Sequence, residues 1–286
     1  LIVNRRRTLR TGRWLLAATA LCTMGITAVA LGTVQKRAST SIPAGQIGSA
    51  TAECDPGQVA LAAGFGISPW DPNTSNGGPI ARLGSQPAGK SAIKTTAFNF
   101  NNTAAGTLYS YAYCGKRAKP PKIVSSDTQV QPNSVATVQA KCPEGSRVIS
   151  GGFATDNTVV TLTSKRSGNR GWKVEGFYIG QTKTKGSAEA TLSAYAICKS
   201  PGPTLTTESK DTTVSNSLKT TNVRCSNGSK AVSGGFDGNL KASGQGLDAA
   251  GALFSKRFDH ARGWTTEGIS TGQPQATLTT YAYCRK

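Results

Sequence analysis

Apolar and polar residues alternate along three segments that share nearly the same letters: Thr107–Cys114 (TLYSYAYC), Thr191–Cys198 (TLSAYAIC) and Thr277–Cys284 (TLTTYAYC). A period of two marks a β-strand with two distinct faces. One face carries the cysteine with leucine and small residues: Leu108, Ser110, Ala112; Leu192, Ala194, Ala196; Leu278, Thr280, Ala282. The other is aromatic, with Tyr109, Tyr111 and Tyr113, then Tyr195 and Ile197, then Tyr281 and Tyr283. Two readings of that second face stand side by side: packing beneath a neighbouring sheet, and a surface on which sugar rings stack.

The same alternation predicts five further strands upstream of the second copy, at Ile123–Val130, Ser134–Cys142, Arg147–Phe153, Val159–Ser164 and Trp172–Ile179. Pro132-Asn133 and Pro143-Glu144-Gly145 supply turn chemistry between them. The third copy follows this plan through Val223-Arg224-Cys225, Ser233–Phe236 and Arg262-Gly263-Trp264. The first is the most divergent; it keeps Cys54-Asp55-Pro56-Gly57 and Gly64-Phe65 but has Ala92 near the tryptophan position. In every copy a phenylalanine (Phe65, Phe153, Phe236) follows the first cysteine by 11 positions. The paired glycines Gly151-Gly152 and Gly234-Gly235 lie within strands and read as bulges or close packing, not as phosphate loops.

Each closing strand lies 60, 56 or 59 positions after an earlier cysteine, Cys54, Cys142 or Cys225. Two small-residue faces can approach to the short Cα separation a disulfide needs. The expected links are therefore Cys54–Cys114, Cys142–Cys198 and Cys225–Cys284, each stabilising by roughly 4 kcal/mol in the chain-entropy model. The cysteines are far apart in sequence, lack a C-x-x-C spacing and share the chain with one histidine, His260, so no zinc site or other metal or cofactor is expected. With first cysteines 88 and 83 residues apart, the expected fold is all-β: three tandem, disulfide-stapled small β-sandwich or barrel units. The alternative is one threefold β-prism with one sheet per repeat. Expected boundaries are a signal peptide or signal anchor at 1–37, a linker at 38–49, and β units at 50–115, 122–199 and 204–286.

The amino-terminal assignment rests on five arginines that lead into Trp14–Val34, 21 uncharged residues. Cleavage after Ala28-Val29-Ala30 would release the mature chain, and an uncleaved helix would anchor it, the only expected tie to a membrane. The rest of the chain is then extracellular, where disulfides persist. Of the 33 Lys and Arg, seven precede residue 38, where no acid occurs; the other 26 face all 14 acids, an excess of 12. That excess favours anionic partners such as a wall polymer or acidic glycan, with solubility alone as the competing reading and nucleic acid not the expected partner. Asn73, Asn101 and Asn227 head glycosylation sequons.

The candidate binding residues form two parallel hairpins. Lys165, Arg166, Arg170 and Trp172 match Lys256, Arg257, Arg262 and Trp264, each set placing two basic residues before a turn and Arg-Gly-Trp after it. Three cations beside an indole suit phosphate, sulfate or carboxylate with a ring above. The competing reading makes each tryptophan a core anchor and each charge a solvated one. Catalysis finds no support: His260 is not repeated, and Glu175 and Glu267 are single carboxylates in their strands.

The combination C-P-x-G-x-x-V-x-x-G-G-F, G-W and A-Y-A-x-C is carried by Cys142–Phe153, Gly171-Trp172 and Ala194–Cys198, with partial copies in the other repeats. It resembles modules found in secreted proteins of Gram-positive bacteria, especially actinobacteria, over most of residues 50–286. That resemblance implies secretion and a β fold, and transfers no catalytic residues. The Cys-Pro-x-Gly and Gly-Phe elements are also similar to the vitelline membrane outer layer family, a threefold β-prism. The function expected from the whole is a non-catalytic binding protein at a cell surface or wall, holding anionic polymer or glycan through repeated weak sites. A structural or spacer protein without a specific ligand is the alternative, and a secreted enzyme the third reading.

Overall fold

A computed structural model describes residues 33–68, 80–99, 104–117, 119–156, 159–178, 189–215, 217–226, 228–239, 241–243, 246–271 and 275–286. The expected export segment up to residue 32, Cys22, and the sequon residues Asn73, Asn101 and Asn227 lie outside them. The first repeat forms β1 (Val34–Ile42), β2 (Ile47–Glu53), β3 (Gln58–Ser68), β4 (Ile80–Pro87), β5 (Ala92–Asn99) and β6 (Gly106–Lys116). The second forms β7 (Lys122–Val130), β8 (Val135–Lys141), β9 (Arg147–Thr155), β10 (Val159–Ser167), β11 (Gly171–Tyr178) and β12 (Ala190–Lys199). The third forms β13 (Thr206–Val214), β14 (Lys219–Arg224), β15 (Lys230–Asp237), a short β16 (Lys241–Ser243), β17 (Gly246–Phe258), β18 (Gly263–Thr271) and β19 (Ala276–Arg285). The six alternating segments read in the second repeat become its six strands.

Residues 34–49 depart from the expected end of the signal segment and linker. They form β1 and the start of β2, with β1 paired to β6 from Val34↔Cys114 to Ile42↔Gly106. Only Ile42 of β1 is buried, so this edge strand carries almost no apolar alternation to read. Its cations are used locally: Lys36 forms an ion pair with Asp55 at 2.7 Å, and Arg37 lies 5.0 Å above the Tyr109 ring.

The strands assemble into three antiparallel sheets, in the orders β1-β6-β3-β17-β18-β14, β7-β12-β9-β4-β5-β2 and β13-β19-β15-β10-β11-β8, with β16 added to β17. With β16 set aside, each sheet takes the first, sixth and third strands of one repeat, then the fourth, fifth and second strands of another. The joints are Phe65↔Ser255, Phe153↔Ser85 and Phe236↔Ser164. The repeats are therefore not the separate tandem units expected, and no sheet belongs to one repeat alone. The physical reason is the edge that each third strand leaves open, which only a fourth strand from another repeat fills. Close approach at the joint requires glycine: a Cβ on Gly64, Gly152 or Gly235 would lie 2.9, 2.2 or 2.5 Å from the carbonyl oxygen of Ser255, Ser85 or Ser164.

The three phenylalanines of the joints meet edge to face, with ring centroids 6.0, 5.9 and 6.2 Å apart. They mark a pseudo-threefold axis around which the sheets face one another. A second triad lies along it. Each third strand carries a bulge opposite its closing strand, between Ala60 and Ala62, at Ile149, and between Ala231 and Ser233. The extra residues Leu61, Ile149 and Val232 gather into one apolar cluster with Val59 and Ile197.

The three disulfides pair as expected, with Cα separations of 5.5, 5.6 and 5.7 Å. The first cysteine of each follows the second strand of its repeat, and its partner lies in the sixth, which belongs to a different sheet. Each bond therefore fastens a different pair of sheets. All three lie at one end of the axis, together with the turns after the second strands and the tips between the fourth and fifth. Backbone bonds tie turn to tip: Cys54 N–H donates to Ser91 O, Cys142 N–H to Arg170 O and Cys225 N–H to Arg262 O, at 2.8, 2.7 and 2.8 Å.

Candidate functional site

The two expected hairpins sit in different sheets and are not brought into one site. Both indoles belong to the core. Trp172 and Trp264 are 2% and 1% exposed, and their Nε1–H groups donate to Ser164 Oγ at 3.0 Å and Ser255 Oγ at 2.8 Å. As ligand-stacking residues they are corrected; neither presents a ring face to solvent. Each meets a buried tyrosine across the sheet joint, Trp172 with Tyr283 at 5.9 Å and Trp264 with Tyr113 at 5.6 Å. The deep tyrosines pack under a neighbouring sheet, whereas Tyr109, Tyr195 and Tyr281 are half-buried.

Arg166 and Arg257 complete these clusters. The phenol oxygens of Tyr283 and Tyr113 accept the backbone N–H of Arg166 at 2.7 Å and of Arg257 at 2.6 Å. Burial pushes both phenol pKa values above their ordinary range. The Arg257 guanidinium lies 4.2 Å above Tyr113 and donates to Val232 O at 2.8 Å and to Thr33 Oγ1. Burial lowers its pKa to about 10. Arg166 lies 5.7 Å above Tyr283 and donates to Asn169 Oδ1 at 2.9 Å and Leu205 O at 3.3 Å. Arg257 is thus a buried structural cation, and Arg166 is half committed to the same role.

One sheet lacks this cluster altogether. At its joint Pro87 stands where the others have Arg166 and Arg257, Ile93 where they have tryptophan, and Ile197 where they have the deep tyrosine. Proline has no N–H to donate, and isoleucine has no hydroxyl to accept it. A Cβ on Gly151 or Gly234 would lie 2.3 or 2.2 Å from its tryptophan, and the first repeat, with Ile93, has Ala63 at that position. Register places Ile93, not Ala92, at the tryptophan site.

The lysines are also engaged. Lys165 contacts Asp237 in an ion pair and lies 5.4 Å from the Tyr281 ring. Burial opposes charge on both partners, but their mutual contact outweighs it, holding Lys165 up and Asp237 down. Lys256 lies 4.5 Å above Phe254. Arg170 folds back, its Nε–H donating to Cys142 O at 3.0 Å.

Arg262 differs, and it opens the candidate site. Between the paired residues Ser167 and Gly171 the second repeat has a three-residue tip; between Phe258 and Gly263 the third has four. The added residue produces a 3-10 turn over Asp259–Ala261, with left-handed His260 (φ 50°) and Ala261 (φ 71°). Beside it lies a cavity of about 490 Å3 lined by Arg224, Cys225, Gly228, Ser229, Lys230, His260 and Arg262. Arg224, Lys230, His260 and Arg262 are exposed. Such a cavity suits an oxyanion held by several cations. Sequence reasoning found Arg262 but missed Arg224 and Lys230. Their signal was positional: they flank the third repeat's first cysteine turn as Lys141 and Arg147 flank the second's. Among the described residues no His, Cys, Asp and Glu cluster could hold a metal ion. No known protein-family model and no curated protein matches the chain.

Proposed function

We propose that this chain is a non-catalytic extracellular binding protein that engages an anionic polymer or glycan of a cell surface or wall. Kinship with the secreted Gram-positive modules belongs to the same proposal. The reading rests on one observation, the cavity that joins the basic side chains Arg224, Lys230 and Arg262 with His260 at the disulfide end. Three intramolecular disulfides are typical of extracellular proteins, which supports the location. The spacer reading draws on Trp172, Trp264 and Arg257, side chains used internally that offer no ligand contact.

Retention of the full chain on isolated cell walls, with a glycan array in parallel, separates the two. Binding should weaken steeply between about 50 and 200 mM salt as counterions are displaced. Arg224→Ser with Arg262→Ser should lower both retention and its salt slope while leaving the thermal midpoint unchanged, because exposed charges contribute little to folding. Salt-independent retention that survives both changes overturns the reading.

A further inference from the structure

The three cations of the cavity have counterparts in the second repeat, and the two corners use them differently. Register aligns them. Lys141 and Arg224 stand opposite Gly171 and Gly263, and Arg147 and Lys230 opposite Lys199 and Arg285. The carbonyls of Arg170 and Arg262 accept the matching cysteine N–H. In the second repeat two of the three cations bond within the chain: Arg147 Nη1–H donates to Thr204 Oγ1 at 2.6 Å and Arg170 Nε–H to Cys142 O at 3.0 Å. In the third, Lys230 and Arg262 enter no ion pair among the described residues, and both line the cavity. The remaining cation rests on a ring found only there. Phe258 stands where the second repeat has Ser167, and the Arg224 guanidinium lies 5.7 Å from the centre of its ring. Gly263 leaves room for that ring, since a Cβ there would lie 2.5 Å from Phe258 Cε1. A guanidinium resting on an aromatic face presents its N–H groups sideways, in its own plane.

Two guanidinium forks and an ammonium around one cavity set the charge and shape of what they hold. A carboxylate carries one charge and two oxygens in one plane, so a single bidentate fork matches it. A phosphate monoester carries close to two charges at neutral pH and three terminal oxygens pointing in different directions. We propose that the cavity recognises a phosphate monoester borne on a sugar, with Arg224, Arg262 and Lys230 taking its terminal oxygens. The volume of about 490 Å3 lies within the range of small-ligand sites, so it admits the phosphoryl group together with its sugar. This inference rests on the reading of the cavity as the binding site and adds the chemistry of its ligand.

Calorimetry of the full chain near neutral pH and at constant ionic strength tests this. The probes are glucose 6-phosphate, glucose 6-sulfate, glucuronate and inorganic phosphate. Glucose 6-phosphate should bind about tenfold or more tighter than glucose 6-sulfate, which keeps the three oxygens but only one charge, and than glucuronate. Arg224→Gln or Arg262→Gln should each weaken glucose 6-phosphate binding about tenfold, the worth of one charge-assisted hydrogen bond. Lys141→Gln, at the matching position of the second repeat, should leave it unchanged. Inorganic phosphate binding below the ester assigns the sugar-borne group, and equal binding assigns the free ion as well. Equal affinities for the phosphate ester, the sulfate ester and glucuronate, an equal loss in Lys141→Gln, or no binding overturns the inference. Wall retention that stays sensitive to salt, Arg224 and Arg262 beside such a result leaves the broader reading standing. Tight glucose 6-phosphate binding without wall retention removes the polymer reading and keeps the site.

Discussion

Replacing Gly234 by alanine should be harmful in the native protein and much less so when Trp264 is changed with it. An alanine Cβ at 234 would lie 2.2, 2.3 and 2.4 Å from three atoms of the Trp264 ring system. That ring is fixed by its bond to Ser255 and its contact with Tyr113, so the clash cannot be relieved by a side-chain swing. Overpacking of this kind costs about 1–3 kcal/mol. Trp264→Ile alone removes buried volume and leaves Ser255 Oγ without its donor, a loss of about 3 kcal/mol. The double variant rebuilds the pairing the first repeat already holds, Ala63 with Ile93. The double-mutant cycle should therefore show a favourable coupling of about 1–2 kcal/mol. Urea unfolding with a constant slope reads each corner. Additive losses would refute the claim that glycine is there for the indole.

Three further outcomes follow, two from these clusters and one from the Lys165–Asp237 pair. Tyr283→Phe removes the acceptor of the Arg166 N–H at 2.7 Å and should cost about 1–3 kcal/mol. Ile197→Tyr should gain nothing by urea unfolding, because Pro87 offers no N–H. Asp237→Asn should lower stability at neutral pH by on the order of 1 kcal/mol, the pair being about one-fifth exposed. Because the folded-state pKa of Asp237 is depressed, its contribution is present above the unfolded carboxylate value of roughly 4 and is lost as pH falls through the lower folded value. Parent and variant stability curves should therefore converge in acid, and a gap that persists there counts against the ion pair.

Strands, cysteine partners and the fixed register of Phe65, Phe153 and Phe236 were legible because each leaves a local mark, a period of two or a constant spacing. The sharing of sheets was not, because each joint rests on one or two residue pairs such as Phe153↔Ser85 and Ala154↔Gly84, which carry no pattern of their own. β1 was missed because an edge strand with only Ile42 buried looks like a polar linker. Among the candidate binding residues, basic neighbours leave a surface reading of the tryptophans open beside the core reading, and burial decides for the core. Strand alternation alone did not show that Arg257 would turn inward over Tyr113. The cavity depends on one added residue in a tip, which changes backbone geometry without changing composition.

The joint between β3 and β17 connects the first repeat to the last. It makes the number of repeats a closed quantity. In a linear array a module can be gained or lost at little cost, since each neighbour pair is alike. Here, dropping a repeat would leave one third strand and one fourth strand with no mate, while inserting a fourth would demand a wider ring with a different angle at every corner. A chain emerging amino terminus first must also leave one edge of β3, the one not taken by β6, open from Phe65 until Ser255 of β17 is made. Folding of this protein is thus tied to the arrival of its carboxyl-terminal third, and a truncated chain presents a bare strand edge to any other copy nearby.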